Sequence, residues 1–163
     1  MLSTQEILAS VGTFSSHDLL LFEEKALRKI VEKNDVVLGP GEICQSVYFI
    51  LSGSFFQFLS DHETEKIIDL HLTNEWMFNH PSLIGQIPSG TTIKAFEDAE
   101  VIELSLINLH ELIARSQSFL SLGRVFDQAH HRTYLFDNAL SLFKNIIILK
   151  MQSRTLYRFF RLK

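Results

Sequence analysis

The sequence has a single cysteine and no long run of apolar residues. Its single cysteine, Cys44, excludes a disulfide within the chain and favours a reducing compartment. Residues 1–3 lack the basic and apolar regions of a signal peptide. The longest aliphatic run near the end, residues 146–149, is far shorter than the roughly 20 apolar residues that cross a bilayer. We therefore predict a cytoplasmic protein without a membrane span.

Motifs that carry catalysis or hold a cofactor are also missing from the sequence. It has no phosphate-binding loop, no nucleophile elbow and no pair of carboxylates at a useful spacing. The scattered histidines His62, His71, His80 and His110 do not form the His-x-His strand motif that a cupin-like metal site needs. We predict that the chain is not an enzyme and needs no metal or other cofactor.

Positive charge is scarce outside the C-terminal residues. The net charge is −4, and residues 144–163 contain six lysines and arginines and no acidic residue, so the rest of the chain carries −10. Lysine and arginine provide most contacts to nucleic-acid backbones, which an acidic body would therefore repel. Contact with nucleic acid or an anionic membrane is expected only from the basic tail, and packing of that tail is the simpler alternative.

Apolar rings and short apolar runs are abundant. Fourteen phenylalanines and a hydrophobic fraction of 46% are enough for the core of one compact domain. Between residues 28 and 104, apolar or alternating runs are separated by turn residues, which is typical of an all-β sandwich or barrel. The runs expected to form strands are 30–31, 36–38, 47–51, 55–59, 67–72, 92–96 and 101–104.

Helices are expected on both sides of these strands. Ser3 and Glu6 form a capping box for a short first helix, and Ser15 or Ser16 starts a second. Ser105 caps a helix that follows the last strand. The fold class is therefore mainly β with flanking helices.

A heptad pattern predicts a long helix from residue 118 to residue 148. Apolar residues recur at alternating steps of three and four, which is typical of a helix that pairs with a second helix. An amphipathic helix lying on its own domain is the alternative, and Gly123 weakens the helix. The seam predicted to form a dimer consists of Phe119, Leu122, Phe126, Ala129, Thr133, Phe136, Leu140, Phe143 and Ile147.

Residues 41–53, with the sequence GEICQSVYFILSG, combine a Gly-Glu pair, an aromatic and aliphatic strand, and a closing glycine. This stretch is similar to the early strands of cyclic nucleotide-binding domains, and the chain looks like the sensor half of a Crp/Fnr-type transcription regulator. The resemblance implies a double-stranded β-helix, or jelly-roll barrel, with N-terminal helices in residues 1–117. A dimerisation helix then follows in residues 118–148, and the basic tail in residues 149–163.

The same resemblance implies a phosphate-binding cassette, which in the family supplies a Gly-Glu pair and, ten residues after the glutamate, an arginine. An alignment anchored on Pro88 puts Phe78, Asn79 and Ser89 at these positions, and a shift by one residue would put His80 and Gly90 there without restoring the arginine. We therefore predict a degenerate cassette that does not bind cyclic AMP. Other side chains could hold a different small molecule, or Trp76 and Phe78 could simply fill the site. The predicted pocket residues are Trp76, Phe78, Asn79, Ser89, Thr91, Thr92 and Tyr134.

These observations favour a sensor or regulatory domain that forms a homodimer and binds an unidentified small molecule or none. In family members with regulatory function, a winged helix that enters DNA follows the long helix. The residues after position 148 are too few for that module, so DNA binding is not expected. The alternative is a protein-interaction module that pairs with a full-length regulator. A cupin-like metalloenzyme is the remote alternative, because cupins share the jelly roll.

Overall fold

The structure, a computed structural model, describes residues 2–61 and 64–123. Two short helices open the chain, α1 (Thr4–Ala9) and α2 (Ser16–Lys25). Ser3 and Glu6 cap α1 reciprocally, and Ser15 and Asp18 do the same for α2. The capping box predicted for the first helix is therefore present, and the second helix begins at one of the two expected serines.

Eight strands follow and form two antiparallel four-stranded sheets. The first sheet has the order β1-β8-β3-β6 and the second the order β2-β7-β4-β5. Seven of the eight strands overlap the runs expected from the sequence. The strands are β1 (Leu27–Val31), β2 (Val36–Leu38), β3 (Ser46–Ser52), β4 (Ser54–Asp61), β5 (Thr64–Leu72), β6 (Trp76–Met77), β7 (Thr92–Ala95) and β8 (Ala99–Ser105).

The mainly β fold with flanking helices is thus confirmed. The expected barrel, however, is not closed among the described strands. The described strands form two separate sheets, with β1 and β6 at the edges of one and β2 and β5 at the edges of the other. A closed barrel requires hydrogen bonds between edge strands. The observed pairings leave those edges open, so the described domain is jelly-roll-like rather than a closed barrel.

Gly53 carries the chain from the first sheet to the second. It lies between β3 and β4 with φ of 86°, in the left-handed region that side chains disfavour. A Cβ atom at this position would lie 2.6 Å from the Cβ of Ala99. The short crossing therefore requires glycine for both its conformation and its packing.

A short helix, α3 (His80–Gly85), lies between β6 and β7, and the helix α4 (Leu106–Arg115) follows β8. The Ser105 hydroxyl accepts a hydrogen bond from Asn108 N at 3.2 Å, as its predicted capping role requires. Asn108 Nδ2 in turn donates to the carbonyl of Lys25 at 2.8 Å. The helix is thereby tied to the C-terminal end of α2, and both helices contribute buried residues to the core.

The described chain ends in a 3-10 helix, Gln117–Leu122. Its residues Phe119 and Leu122, the first two of the predicted seam, are 0% and 3% exposed and belong to the core of the domain. The predicted domain boundaries stay predictions. The other seam residues Phe126, Ala129, Thr133, Phe136, Leu140, Phe143 and Ile147, with Tyr134 and the basic tail, lie outside the described residues.

Within the described ranges, none of the helices has the length and apolar character needed to cross a membrane.

Candidate functional site

The cassette segment, residues 74–91, contains a short helix that the sequence analysis did not predict. This helix, α3 (His80–Gly85), lies between β6 and β7 and ends at Gln86, whose φ of 48° is left-handed. Asn79 is its N-cap, and its Oδ1 accepts a hydrogen bond from Ser82 N at 2.9 Å. An asparagine cap followed by Pro81 in the first turn is a recognised helix start. The sequence therefore contained the signal.

Asn79 also binds the two residues that end the cassette segment. Its Nδ2 donates to Thr91 Oγ1 at 2.8 Å and to Ser89 Oγ at 3.2 Å. Asn79 is 5% exposed and Ser89 is 4% exposed. The structure thus brings together three of the predicted pocket residues, and it joins Asn79 to Ser89 by a direct hydrogen bond.

Ser89 and Thr91 are held in a tight turn by their own hydrogen bonds. Ser89 Oγ donates to the carbonyl of Thr91 at 2.8 Å and accepts from the amide of Thr91 at 3.1 Å. The Ser89 backbone is fixed as well, because its amide donates to the carbonyl of Glu42 and its carbonyl accepts from the amide of Gly41, both at 2.7 Å. Polar groups at the end of the cassette are therefore satisfied within the chain.

Gln57 completes this arrangement, although it was not among the predicted pocket residues. It lies on β4, and its Nε2 donates to Thr91 Oγ1 at 2.7 Å. Gln57 is buried, as are Phe55 two residues before it and Ile93, its partner on β7. Gln57 lies two residues after Phe55, so in a strand the two side chains lie on the same face, and this spacing indicates that Gln57 faces the core. We call Gln57, Asn79, Ser89 and Thr91 the cassette network.

A second missed residue, Ser82, ties the cassette helix to the segment before β3. Ser82 is buried; its Oγ accepts from Cys44 N at 2.9 Å and donates to the carbonyl of Ile87 at 2.6 Å. Cys44 is itself buried, and burial raises the pKa of its thiol, so the thiol stays protonated. This cysteine has the character of a small core residue.

Three of the other predicted pocket residues take no part in the cassette network. Phe78 is buried in the core. Trp76 packs edge-to-face on Phe49 with ring centres 5.3 Å apart, and its buried indole N–H has no hydrogen-bond partner among the described residues. Thr92 pairs with Phe58 in register, whereas Ile93 pairs with Gln57. Strand alternation therefore turns Thr92 to the opposite face from Gln57.

The cassette network carries no charge, since its four side chains are amides and hydroxyls. The nearest cation in sequence, Lys94, pairs with Phe56 on β4, and its Nζ lies 5.8 Å from the centre of the Phe56 ring. That face is opposite to the face of Gln57. Within residues 2–61 and 64–123, no three histidine, cysteine or acidic side chains are grouped to hold a metal ion.

A second polar group links three strands of the first sheet. Tyr48 Oη donates to Glu103 Oε1 at 3.2 Å, and Lys29 forms an ion pair with the same carboxylate. Burial raises the pKa of Tyr48. Burial alone would also raise the pKa of Glu103, but hydrogen bonds from Lys29, Ser46 and Tyr48 bring it below its ordinary value. Glu103 is therefore a charged, well-partnered residue.

Comparison with known proteins gives a family match and several similar folds. A family model described as the cyclic nucleotide-binding domain matches residues 28–116. A cyclic nucleotide-binding domain from Methylobacillus flagellatus is similar, with a TM-score of 0.70, 16% identity, and coverage of 85% of this chain and 82% of that one. The search of curated protein sequences found no match.

Two further structures have the same fold. The Catabolite Activator Protein of Thermus thermophilus has a TM-score of 0.62 and 19% identity, with 78% of this chain and 61% of that chain covered. The N-terminal domain of a transcriptional regulator from Streptomyces coelicolor has a TM-score of 0.62 and 13% identity, with coverage of 80% and 93%. At these identities the similarity establishes the fold alone.

Proposed function

The chain belongs to the cyclic nucleotide-binding domain family, and we propose that it is a Crp/Fnr-like regulatory domain whose cassette is closed by its own hydrogen bonds. In this proposal it does not bind cyclic AMP. The observation that carries the proposal is the pair of hydrogen bonds from Asn79 Nδ2 to Ser89 and Thr91. The side chains at the ligand-binding positions of the family bind one another.

Charge is the first reason to expect no cyclic AMP binding. The family's arginine neutralises the cyclic phosphate, whereas Ser89 is neutral and buried. A phosphate held there would lack a charge-assisted hydrogen bond, each of which contributes about 1.5–3 kcal/mol. Its transfer from water into a buried site without a cation is also strongly unfavourable.

Geometry is the second reason. A ligand that bound Asn79 or Thr91 would have to break hydrogen bonds of 2.8 Å and 2.7 Å that already satisfy Thr91 Oγ1. Each broken bond leaves a buried polar group unsatisfied, at about 1–3 kcal/mol. Phe78, at the position where the family has glycine, adds a buried ring next to the helix cap. The hydrogen bonds within the cassette network therefore oppose the binding of an anionic ligand as large as cyclic AMP.

The test is calorimetric titration of the full chain with cyclic AMP, with a cyclic-AMP-binding family member as the positive control. We expect no saturable heat and no thermal shift at micromolar concentrations. A saturable response would contradict the proposal. The same titration of Asn79→Asp is compared with that of the parent chain. Aspartate keeps the helix cap, but it replaces the amide that donates to Ser89 and Thr91.

We further infer that residues 118–148 pair two copies of the chain. The support is the heptad pattern, which continues from Phe126 to Phe143 beyond the described residues. Phe119 and Leu122 are buried within the described domain, so the pairing surface is assigned to the positions from Phe126 onward. The proposal implies that the chain has a regulatory role without catalysis and that it acts in the cytoplasm.

A further inference from the structure

The first sheet ends on one side at β1, whose outer edge pairs with none of the described strands. On its inner side β1 pairs with β8 in a continuous register, from Leu27 with Glu103 to Val31 with Ala99, without a shift. Residues 27–31 contain no proline or glycine that would interrupt the strand. The outer edge therefore presents a regular row of backbone N–H and C=O groups to which a further strand can bond.

The other three edges of the described sheets have features that hinder such pairing. β6 has only two residues, and β2 has three residues and a register shift against β7. β5 is longer, but its register against β4 also shifts, between Gln57 and Phe58. Short strands and bulges are common means by which proteins protect a sheet edge from pairing with another chain. Among the described edge strands, β1 is the one that lacks both.

The side chains of β1 leave its edge accessible as well. Ile30 is 82% exposed, more than any other large apolar residue in the described ranges. Charged side chains on an edge strand normally keep other strands away. Here Arg28 and Lys29 each form an ion pair with a glutamate of β8, Glu100 and Glu103 respectively. The charges of β1 are thus already paired within the sheet.

The charge pattern of β1 is complementary to a second copy of itself in one register. If two copies run antiparallel with Ile30 opposite its counterpart, Arg28 of each copy lies opposite Glu32 of the other. Glu32 directly follows β1, is exposed, and forms no ion pair with the described residues. Pairing about Lys29 would instead place two lysines opposite each other, and like charges directly opposite destabilise a sheet.

We propose that β1 pairs with β1 of a second copy of this chain, antiparallel and with Ile30 at the two-fold axis. The pair of isoleucines and two pairs of Arg28 with Glu32 provide the side-chain contacts, and the two open edges provide the backbone hydrogen bonds. A stable interface has about 20–30 residues a side, so a contact this small is transient and should not raise the mass that light scattering measures in dilute solution. This inference does not depend on the cassette or on residues 118–148.

The first test is disulfide trapping of Ile30→Cys in the full chain under mild oxidation, with the linked dimer measured on a non-reducing gel. Directly opposed Cβ atoms in a sheet lie about 4.5–5.5 Å apart, close to the spacing that a disulfide needs. Pairing raises the local concentration of the thiols, so we expect linking at least roughly tenfold faster than in Ile107→Cys. Ile107 is 72% exposed on α4, and the natural Cys44 is buried. Equal rates would show that random collisions explain the linking and would overturn the proposal.

Leu27→Cys tests the register. Leu27 lies on the same strand and is 56% exposed. In the proposed register its counterpart lies about six residues along the paired strand, roughly 20 Å away. Leu27→Cys should therefore link as slowly as Ile107→Cys. Linking as fast as in Ile30→Cys would exclude pairing about Ile30.

Exchange of the charges gives an independent test in the Ile30→Cys chain. Arg28→Glu places a glutamate opposite Glu32, and Glu32→Arg places an arginine opposite Arg28. Each variant alone should therefore link at least about threefold more slowly. An equal mixture of the two variants restores both opposite-charge pairs, and mass spectrometry should detect the mixed dimer at close to the rate of Ile30→Cys.

The mixture also separates pairing between copies from effects within one copy. Arg28→Glu removes the ion pair with Glu100, but mixing with a second chain cannot restore a contact inside the first. Recovery in the mixture therefore has its origin between the strands of two copies. Absence of slowing in both variants, or absence of recovery in the mixture, would overturn the proposal.

Discussion

Thr91 is the residue on which the cassette network converges. Its hydroxyl accepts hydrogen bonds from both Asn79 and Gln57. Thr91→Val keeps the shape of the side chain and leaves two buried N–H groups without an acceptor. We expect it to lower the free energy of unfolding by about 1–3 kcal/mol, measured by urea denaturation.

Thr92→Val is the control for that substitution. Thr92 is buried, but its hydroxyl has no hydrogen bond to any of the described residues. The change should therefore alter stability by less than about 0.5 kcal/mol. Equal losses for the two variants would mean that the hydroxyl of Thr91 contributes nothing through the network.

Glu103 gives a prediction about pH. Its side chain is 13% exposed and its pKa is lowered in the folded protein. A group with a lowered folded pKa stabilises the fold above its unfolded pKa of about 4.3, and this contribution is lost as the pH falls through the folded value. Glu103→Gln should therefore destabilise the protein at neutral pH by about 1–2 kcal/mol.

The difference between Glu103→Gln and the parent should shrink as the pH is lowered toward about 3. Urea denaturation at several pH values measures it. Glu100→Gln is the comparison, because Glu100 pairs with Arg28 on the same sheet at the surface, and exposed pairs contribute little. A Glu103→Gln effect that is independent of pH would show that the carboxylate charge is not its origin.

At the scale of elements, the predictions succeeded where an apolar run between turn residues or a capping box marked the segment. The run 55–59 became part of β4, in which Phe55 and Gln57 are both buried. The two residues of β6 are too few for an apolar run to be visible, and α3 lacks the reciprocal capping box that marks α1, which is equally short. The position of β6 depends on pairing with β3, a contact distant in sequence, whereas the Asn79 cap of α3 is a local contact.

Periodicity also does not reveal what covers an apolar face. Phe119 and Leu122 fit the same heptad as the later seam residues, yet both are buried within the described domain, where Phe119 packs on Phe14. The spacing of residues 118–148 does not include Phe14 and so could not reveal this contact. The sequence was therefore sufficient to identify the apolar stripe and insufficient to assign the partner of each residue.

The crossing between the two sheets gives a prediction at Gly53. Gly53→Ala combines a left-handed backbone with a methyl group 2.6 Å from the Cβ of Ala99. We expect a loss of about 2 kcal/mol or more, because conformational strain and overpacking add. Thermal and urea denaturation measure the loss.

Gly41→Ala separates the two causes. Gly41 has nearly the same φ, 85°, but no atom lies within 4 Å of the position of its Cβ. It should lose only the conformational part, about 1 kcal/mol. If the two variants lose equal stability, the contact between Gly53 and Ala99 is unimportant, and the backbone conformation explains both.

At the scale of the whole molecule, charge separates the chain into two parts. Six basic residues lie after residue 143, and the rest of the chain carries −10. The cassette network within the acidic part is neutral, and its polar groups bind one another. The described domain therefore has the fold of the cyclic nucleotide-binding family together with a cassette network that carries no charge.

Association through residues 118–148 is tested by Phe126→Asp in the full chain. A charge in the middle of an apolar seam cannot be buried without a partner, so the variant should be monomeric where the parent is a dimer. Light scattering measures the mass of the variant and of the parent.

Gln128→Asp is the control, because it introduces the same charge two positions away, outside the seam, and should stay dimeric. A monomeric parent would remove the pairing helix from the proposed function, and a dimeric Phe126→Asp would place the interface elsewhere. Neither result would affect the closed cassette, which depends on contacts within the described domain.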